Sequence, residues 1–171
     1  MVEVVLVAPE IATNTGSIVR LCANAGARLH LVEPLGFDLD DASLRRAGLD
    51  YHDLTSVTVH PDPAAAVAGF ADRRRFAFSS RASRRFDVVA FAPGDVLVFG
   101  SERAGLTAEQ LGAFEPVEPL AIPMRPGNRS LNLANAVAIV VYEAWRQHDF
   151  TGATGPAATT AETLTTDPFD R

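Results

Sequence analysis

Two stretches late in the chain concentrate residues able to hold a ligand. In RPGNRSLNLANAVAIVVYEAW, residues 125–145, Asn128, Arg129, Ser130, Asn132 and Asn135 crowd the mouth of an apolar segment that carries no charge between Arg129 and Glu143. Polar groups at a helix N-terminus cap free N–H groups and can fix a loop and a ligand together. In FGSERAGL, residues 99–106, glycines at 100 and 105 flank Ser101, Glu102 and Arg103. Glycine lets backbone approach a flat ligand, and backbone N–H groups can read the edge of an adenine. The chemistry indicated is positioning and polar recognition.

Other chemistries lack their residues. PEIATNTGSIVR, which follows the first apolar run, has no G-x-G-x-x-G, so a dinucleotide-binding dehydrogenase is disfavoured. Ser101 does not sit in G-x-S-x-G, and His30, His52, His60 and His148 suggest neither a triad nor a metal site by their spacing. No metal is expected. The single cysteine, Cys22, cannot form an intrachain bridge and fits a reducing compartment.

The elements that must position these stretches follow from apolar patterning. Short runs rich in Val, Leu, Ile and Phe at 2–8, 29–32, 57–60, 76–79, 96–99 and 120–122 alternate with helical stretches. This is the pattern of an α/β fold, a mostly parallel sheet with helices on both faces, in which ligands bind beyond the carboxyl ends of the strands. NTGSIVRLCANAG places Ile18, Leu21, Cys22 and Ala25 at helical spacing, with Asn14 or Thr15 as expected N-cap and Gly26 as terminator. The last helix repeats Leu133, Val137, Val140, Val141, Ala144 and Trp145 on one face, while Ala136 and Ile139 make its other side apolar as well. Such a helix is buried by more than one neighbour, within its own domain or against a second subunit with Tyr142 and Trp145 as anchors.

At 171 residues the chain suffices for one domain, expected over 1–150, followed by a Thr/Ala/Gly/Pro-rich tail, 151–171, expected to be disordered. No apolar run approaches the roughly 20 residues that span a bilayer, and MVEVVLVAPE has an acid where a signal peptide starts basic. A soluble cytoplasmic protein is expected. The net charge is −6, and −4 without the tail, which holds Glu162, Asp167 and Asp170 against Arg171. All fifteen basic residues are arginine, several clustered at 45–46, 73–75, 81 and 84–85, either as a solvated face or as a local patch for phosphate.

In order, NTGSIVR, FGSERAGL and RSLNLANAVAIVVYEAW resemble the three motifs of the SPOUT methyltransferases in their SpoU branch. The resemblance covers about residues 1–150, and PEIATNTGSIVRLCANAGARLHLVEPLGF and LRRAGLDYH are similar to the members that act on the wobble nucleotide of tRNA. It implies a sheet whose C-terminal segment is threaded as a trefoil knot, a homodimer joined through the C-terminal helix, and methyl transfer from S-adenosylmethionine to the ribose 2'-hydroxyl of cytidine or uridine 34, with leucine tRNAs as expected substrates. It also implies that Phe78, Gly100, Ile122, Ser130 and Leu131 line the cofactor site and that Asn14 and Arg129 lie near the RNA. Two departures are evident: relatives commonly read G-P-E-T-R-G-L where this chain has GSERAGL, moving the arginine one place earlier, to Arg103, and the basic patches after Arg73 and Arg81 lie in a region that varies among relatives, so the resemblance implies no RNA contacts there.

Arg20, the arginine of the first motif, is the expected catalytic residue. A guanidinium whose pKa exceeds about 12 is a poor base, so its expected role is to hold the target phosphate and stabilise the nascent alkoxide. Glu102 either faces the sulfonium or holds the loop. The alternatives are methylation of another tRNA or rRNA position, an RNA-binding module without catalysis, and a small-molecule α/β enzyme. The second would bind tRNA with a steep salt slope yet transfer nothing, and the third would show no such affinity.

Overall fold

The computed structural model describes residues 1–38 and 57–154. LRRAGLDYH, the Arg45–Arg46 pair, His52 and the tail beyond residue 154 lie outside the described residues. In chain order the elements are β1 (Glu3–Val7), α1 (Ala12–Ala25), β2 (Arg28–Val32), β3 (Val57–His60), α2 (Pro63–Ala68), β4 (Arg75–Phe78), a 3-10 turn (Phe86–Val88), β5 (Val96–Phe99), α3 (Ala108–Ala113), β6 (Glu118–Leu120) and α4 (Leu133–Arg146). All six runs read from the sequence are strands, shifted by a residue or two at some ends.

The strands form one sheet in the order β3-β2-β1-β5-β4-β6, and every pairing is parallel. The central strands are apolar because both faces are covered. Along β1 the side chains alternate: Val4 and Leu6 join the core beneath α1 and α4, and Val5 and Val7 join the core beneath α2 and α3. Phe76, Phe78, Leu97 and Phe99 extend the first core, while Val96, Val98 and Phe114 extend the second.

α1 and α4 pack against each other on one face of the sheet. α1 buries Ile18, Val19, Cys22 and Ala25 and ends at Gly26, whose φ of 69° is the left-handed conformation that glycine adopts without strain. Its start differs from expectation. The N-cap is Ile11, not Asn14 or Thr15, and no side chain of its own turn caps it. α4 begins as its sequence implies: Asn132 Oδ1 accepts from the N–H groups of Ala134 (2.9 Å) and Asn135 (3.3 Å). Leu133, Val137, Val140, Val141 and Ala144 form its buried face, whereas Ile139 and Tyr142 stay 40 and 42% exposed. Trp145 is partly buried within its own chain, its ring edge-on to Phe150 and its Nε1–H donating to the Thr151 carbonyl at 3.0 Å. Among the described residues no helix is long and apolar enough to cross a membrane.

Candidate active site

The chain leaves β1 toward β2 on one side and leaves β5 toward β6 on the other, so the carboxyl ends of these neighbours diverge. Such a switch point opens a crevice in an α/β sheet. Glu102, on the turn after β5, reaches across it. Its carboxylate accepts from the backbone N–H groups of Glu10 (2.7 Å) and Ile11 (3.2 Å) and from Asn14 Nδ2 (3.0 Å). It thereby supplies from 91 residues away the cap that α1 lacks locally. Asn14 Oδ1 in turn accepts from Asn132 Nδ2 at 2.9 Å, so the start of α1, the β5 turn and the start of α4 form one chain of hydrogen bonds. Arg103 adds an ion pair to Glu10 at 3.2 Å.

The turn itself is closed by paired backbone bonds between Ser101 and Gly105, N–H to carbonyl in both directions (3.2 and 2.9 Å). A Cβ on Gly100 would lie 2.0 Å from the Gly105 carbonyl carbon, so the glycine is required by the turn's contact with itself rather than by ligand approach. Gly105, with φ of 68°, is needed for its backbone conformation.

Beyond the carboxyl ends of β4, β5 and β6 lies a cavity of about 290 Å³. Phe78, Gly100, Ile122, Ser130 and Leu131 all line it. Phe78 and Phe99 stack with centroids 4.6 Å apart and planes 10° from parallel, giving an aromatic wall, and the loop residues Ser79 to Arg81 and Met124 complete the mouth. Apolar faces with a few converging polar groups are the usual make-up of a small-molecule site, and the volume lies just below the roughly 300–1,000 Å³ range of such sites. Of the lining residues 79–81, Ser79 and Ser80 carry no motif signal and Arg81 reads in the sequence only as part of an arginine cluster. Their signal is positional: FSSR directly follows a strand, where ligands bind in open α/β sheets.

Of the other expected site residues, Asn14 joins the site through Glu102, and Arg129 is exposed on the loop between β6 and α4 that also supplies Ser130. Arg20 does not line the cavity. It lies on the exposed side of α1, on the same face as Thr13 and Ser17. Cys22 is no nucleophile, since burial pushes its thiol up to about 12. Among the described residues no cluster of His, Cys, Asp and Glu could hold a metal ion.

The arginine clusters are largely consumed internally. Arg74 pairs with Asp95 at 2.6 Å, and Arg84 pairs with Glu118. Arg85 pairs with Asp87, two residues on. Arg75 is buried and donates to the carbonyls of Phe70 (2.7 Å), in the turn after α2, and of Phe114 (2.8 Å), the C-cap of α3. Arg73 joins Arg28 on Glu3, a buried carboxylate at the start of β1 that also meets His30 Nε2 at 3.2 Å. Burial alone would raise the Glu3 pKa, but the hydrogen bonds from His30, Arg28 and Arg73 together outweigh it and hold the carboxyl at about 2. His30 Nδ1 lies 3.0 Å from His60 Nε2, so both histidines belong to this structural cluster.

With this geometry in view, comparison with known proteins assigns the class. Residues 1–142 match the SpoU rRNA Methylase family, and the chain belongs to it. It is 60% identical over 154 residues to a Burkholderia ambifaria protein named tRNA (cytidine(34)-2'-O)-methyltransferase, covering 89% of this chain and 99% of that one. A solved structure concerned with 2-OH methylation of C/U34 on tRNA superimposes with a TM-score of 0.81 at 42% identity, over 88% of this chain and 97% of the other. The SpoU methyltransferase AviRb from Streptomyces viridochromogenes, solved with AdoMet, is similar with a TM-score of 0.75 at 25% identity, over 88% of this chain and 58% of that one.

Proposed function

We propose that this chain transfers a methyl group from S-adenosylmethionine to the ribose 2'-hydroxyl of the wobble nucleotide, cytidine or uridine 34, of tRNA, with leucine tRNAs as the expected substrates. The observation that carries the reading is the meeting of Phe78, Gly100, Ile122, Ser130 and Leu131 around one cavity, in a chain whose relatives bear that activity over nearly nine-tenths of its length. Phe78, Ile122 and Leu131 offer apolar surface to an adenosyl group, and the Gly100 backbone and Ser130 offer polar contacts. When bound, S-adenosylmethionine supplies an electrophilic methyl group on a sulfonium.

The chain's own part is placement and electrostatics. Glu102 fixes the first turn of α1 to the cavity wall, and α1 carries Arg20. A guanidinium is a hydrogen-bond donor with no acceptor, so Arg20 acts by holding the target phosphate and by stabilising charge on the attacking 2'-oxygen. The 2'-hydroxyl proton leaves late, to the adjacent phosphate or to water. Asn14 and Arg129 lie on the RNA side of the site.

The same reading takes residues 1–150 as the catalytic domain, cytoplasmic and homodimeric. The exposed Ile139 and Tyr142 on the outer side of α4 support a dimer contact through that helix. It also takes the C-terminal segment as threaded in a trefoil knot. In support, the chain passes from β6 at the sheet edge back to α4 against α1, and Ala121 pairs with the 84–86 segment on the way.

The test is incubation with unmodified tRNA and methyl-labelled S-adenosylmethionine, followed by digestion and identification of the labelled nucleoside. A 2'-O-methylated nucleoside at position 34 is expected, and folded protein with saturating cofactor that leaves the RNA unlabelled would overturn the proposal. Arg20→Ala is expected to keep the rise in melting temperature caused by S-adenosylmethionine while losing turnover. Full activity in that variant would remove Arg20 from the mechanism.

A further inference from the structure

The chain is acidic overall, so attraction of a polyanion must come from local charge. Most described arginines cannot supply it, because a carboxylate or backbone carbonyl already occupies them, even where the pair is exposed as in Arg85–Asp87. Arg81, Arg125 and Arg129 differ. All three are exposed, and among the described residues their guanidiniums have neither an ion pair nor a hydrogen bond. They are confined to two loops, the one after β4 and the one between β6 and α4, and both loops border the cavity. Arg81 itself lines the mouth, and Arg125 follows the lining residue Met124. Neither loop holds an acid to neutralise them: none occurs between Asp72 and Asp87 or between Glu118 and Glu143. Glu102, on the facing wall, is committed to the amides of Glu10, Ile11 and Asn14.

We infer that Arg81 and Arg125, flanking the cavity with Arg129, form the phosphate-binding rim that seats the RNA backbone beside the nucleotide entering the site. This rests on the proposed RNA methylation and assigns to it two contacts that the motif residues do not include. Arginine suits the task because its planar fork takes two phosphate oxygens at once. The 73–75 and 84–85 clusters, the densest basic runs in the described residues, are thereby excluded from the rim.

The experiment measures tRNA affinity of the full chain against KCl concentration for wild type, Arg81→Ala/Arg125→Ala and the charge-matched Arg84→Ala/Arg85→Ala. Each phosphate contact contributes about 0.7–0.9 to the slope of log affinity on log salt, so the first pair is expected to lower the slope by about 1.4–1.8. The second pair is expected to leave the slope unchanged, and the rise in melting temperature with S-adenosylmethionine is expected to be the same in all three. Equal slopes for the first pair and for wild type would overturn the inference while wild-type methylation of the same tRNA keeps the function intact. Loss of the cofactor-induced rise in Arg81→Ala/Arg125→Ala would also overturn it, by assigning these arginines to the cofactor. A wild type that neither binds nor methylates tRNA would overturn the function, and this inference with it.

Discussion

Glu3 and Glu102 are the same residue placed at opposite ends of the sheet, each wrapped in hydrogen-bond donors, and their donors differ in kind. Glu3 is surrounded by two arginines and a histidine, and its charge is cancelled where it stands. Glu102 is surrounded by two backbone amides and an asparagine amide, so its hydrogen bonds are satisfied while its charge is left uncancelled by them. The first arrangement locks strand ends together. The second fixes a helix and leaves a carboxylate at the wall of the cavity proposed for S-adenosylmethionine, with Arg103 beside it on the same turn and Arg81 across the mouth. Identical chemistry thus serves stability in one place and a site in the other, according to whether the donors carry charge.

The comparison is broken most severely at Gly100. Gly100→Ala drives a methyl group into the Gly105 carbonyl, displaces the turn that carries Glu102 and uncaps α1. A loss of about 3 kcal/mol in urea unfolding is expected, with loss of S-adenosylmethionine binding. Next is Glu3→Gln, tested against pH. The folded carboxyl, at about 2, lies below its ordinary value of 4.5, so its contribution is complete above about pH 4.5 and is lost as pH falls through 2. The contribution is at most about 3 kcal/mol. The variant is expected to be less stable than wild type at pH 7 and to converge with it near pH 2; parallel stability curves would show that the cluster is not the source of acid sensitivity. The smallest effect on stability is expected from Glu102→Gln, about 1 kcal/mol, because an amide oxygen still accepts part of the donor set. Its effect on methyl transfer should nevertheless exceed that of Glu3→Gln, which leaves the cavity untouched. Assays of both variants above pH 6 separate the two roles.

How much of this could be read in the sequence depends on the separation of the partners. The strands, Gly26 and the Asn132 cap are local, and the apolar alternation and capping chemistry state them directly. The residues proposed to hold the cofactor rest on resemblance, since nothing in the spacing of Phe78, Gly100 and Ile122 says that three loops converge on one cavity. The cap of α1 is not legible locally, because its acceptor lies 91 residues on. The arginine clusters were ambiguous for the same reason: Asp95 and Glu118 are 21 and 34 residues from Arg74 and Arg84, and only folding reveals that they are taken. Among the described residues, the guanidiniums left without a partner, those of Arg81, Arg125 and Arg129, become visible only by subtraction.

The order of the strands also bears on how the chain is made. β1 lies between β2, which follows it within a few dozen residues, and β5, which begins at residue 96. A chain emerging from the ribosome can pair β1 with β2, and β2 with β3, early, but the other edge of β1 must wait until residue 96 is reached. An apolar strand with an open edge is a template for wrong pairing, and distant parallel pairing is slow to form. At the usual 5–20 residues per second, the wait lasts about 5–20 seconds. Synthesis that stalls between residues 32 and 96 should therefore release chains prone to aggregate, whereas stalling after β5 should not.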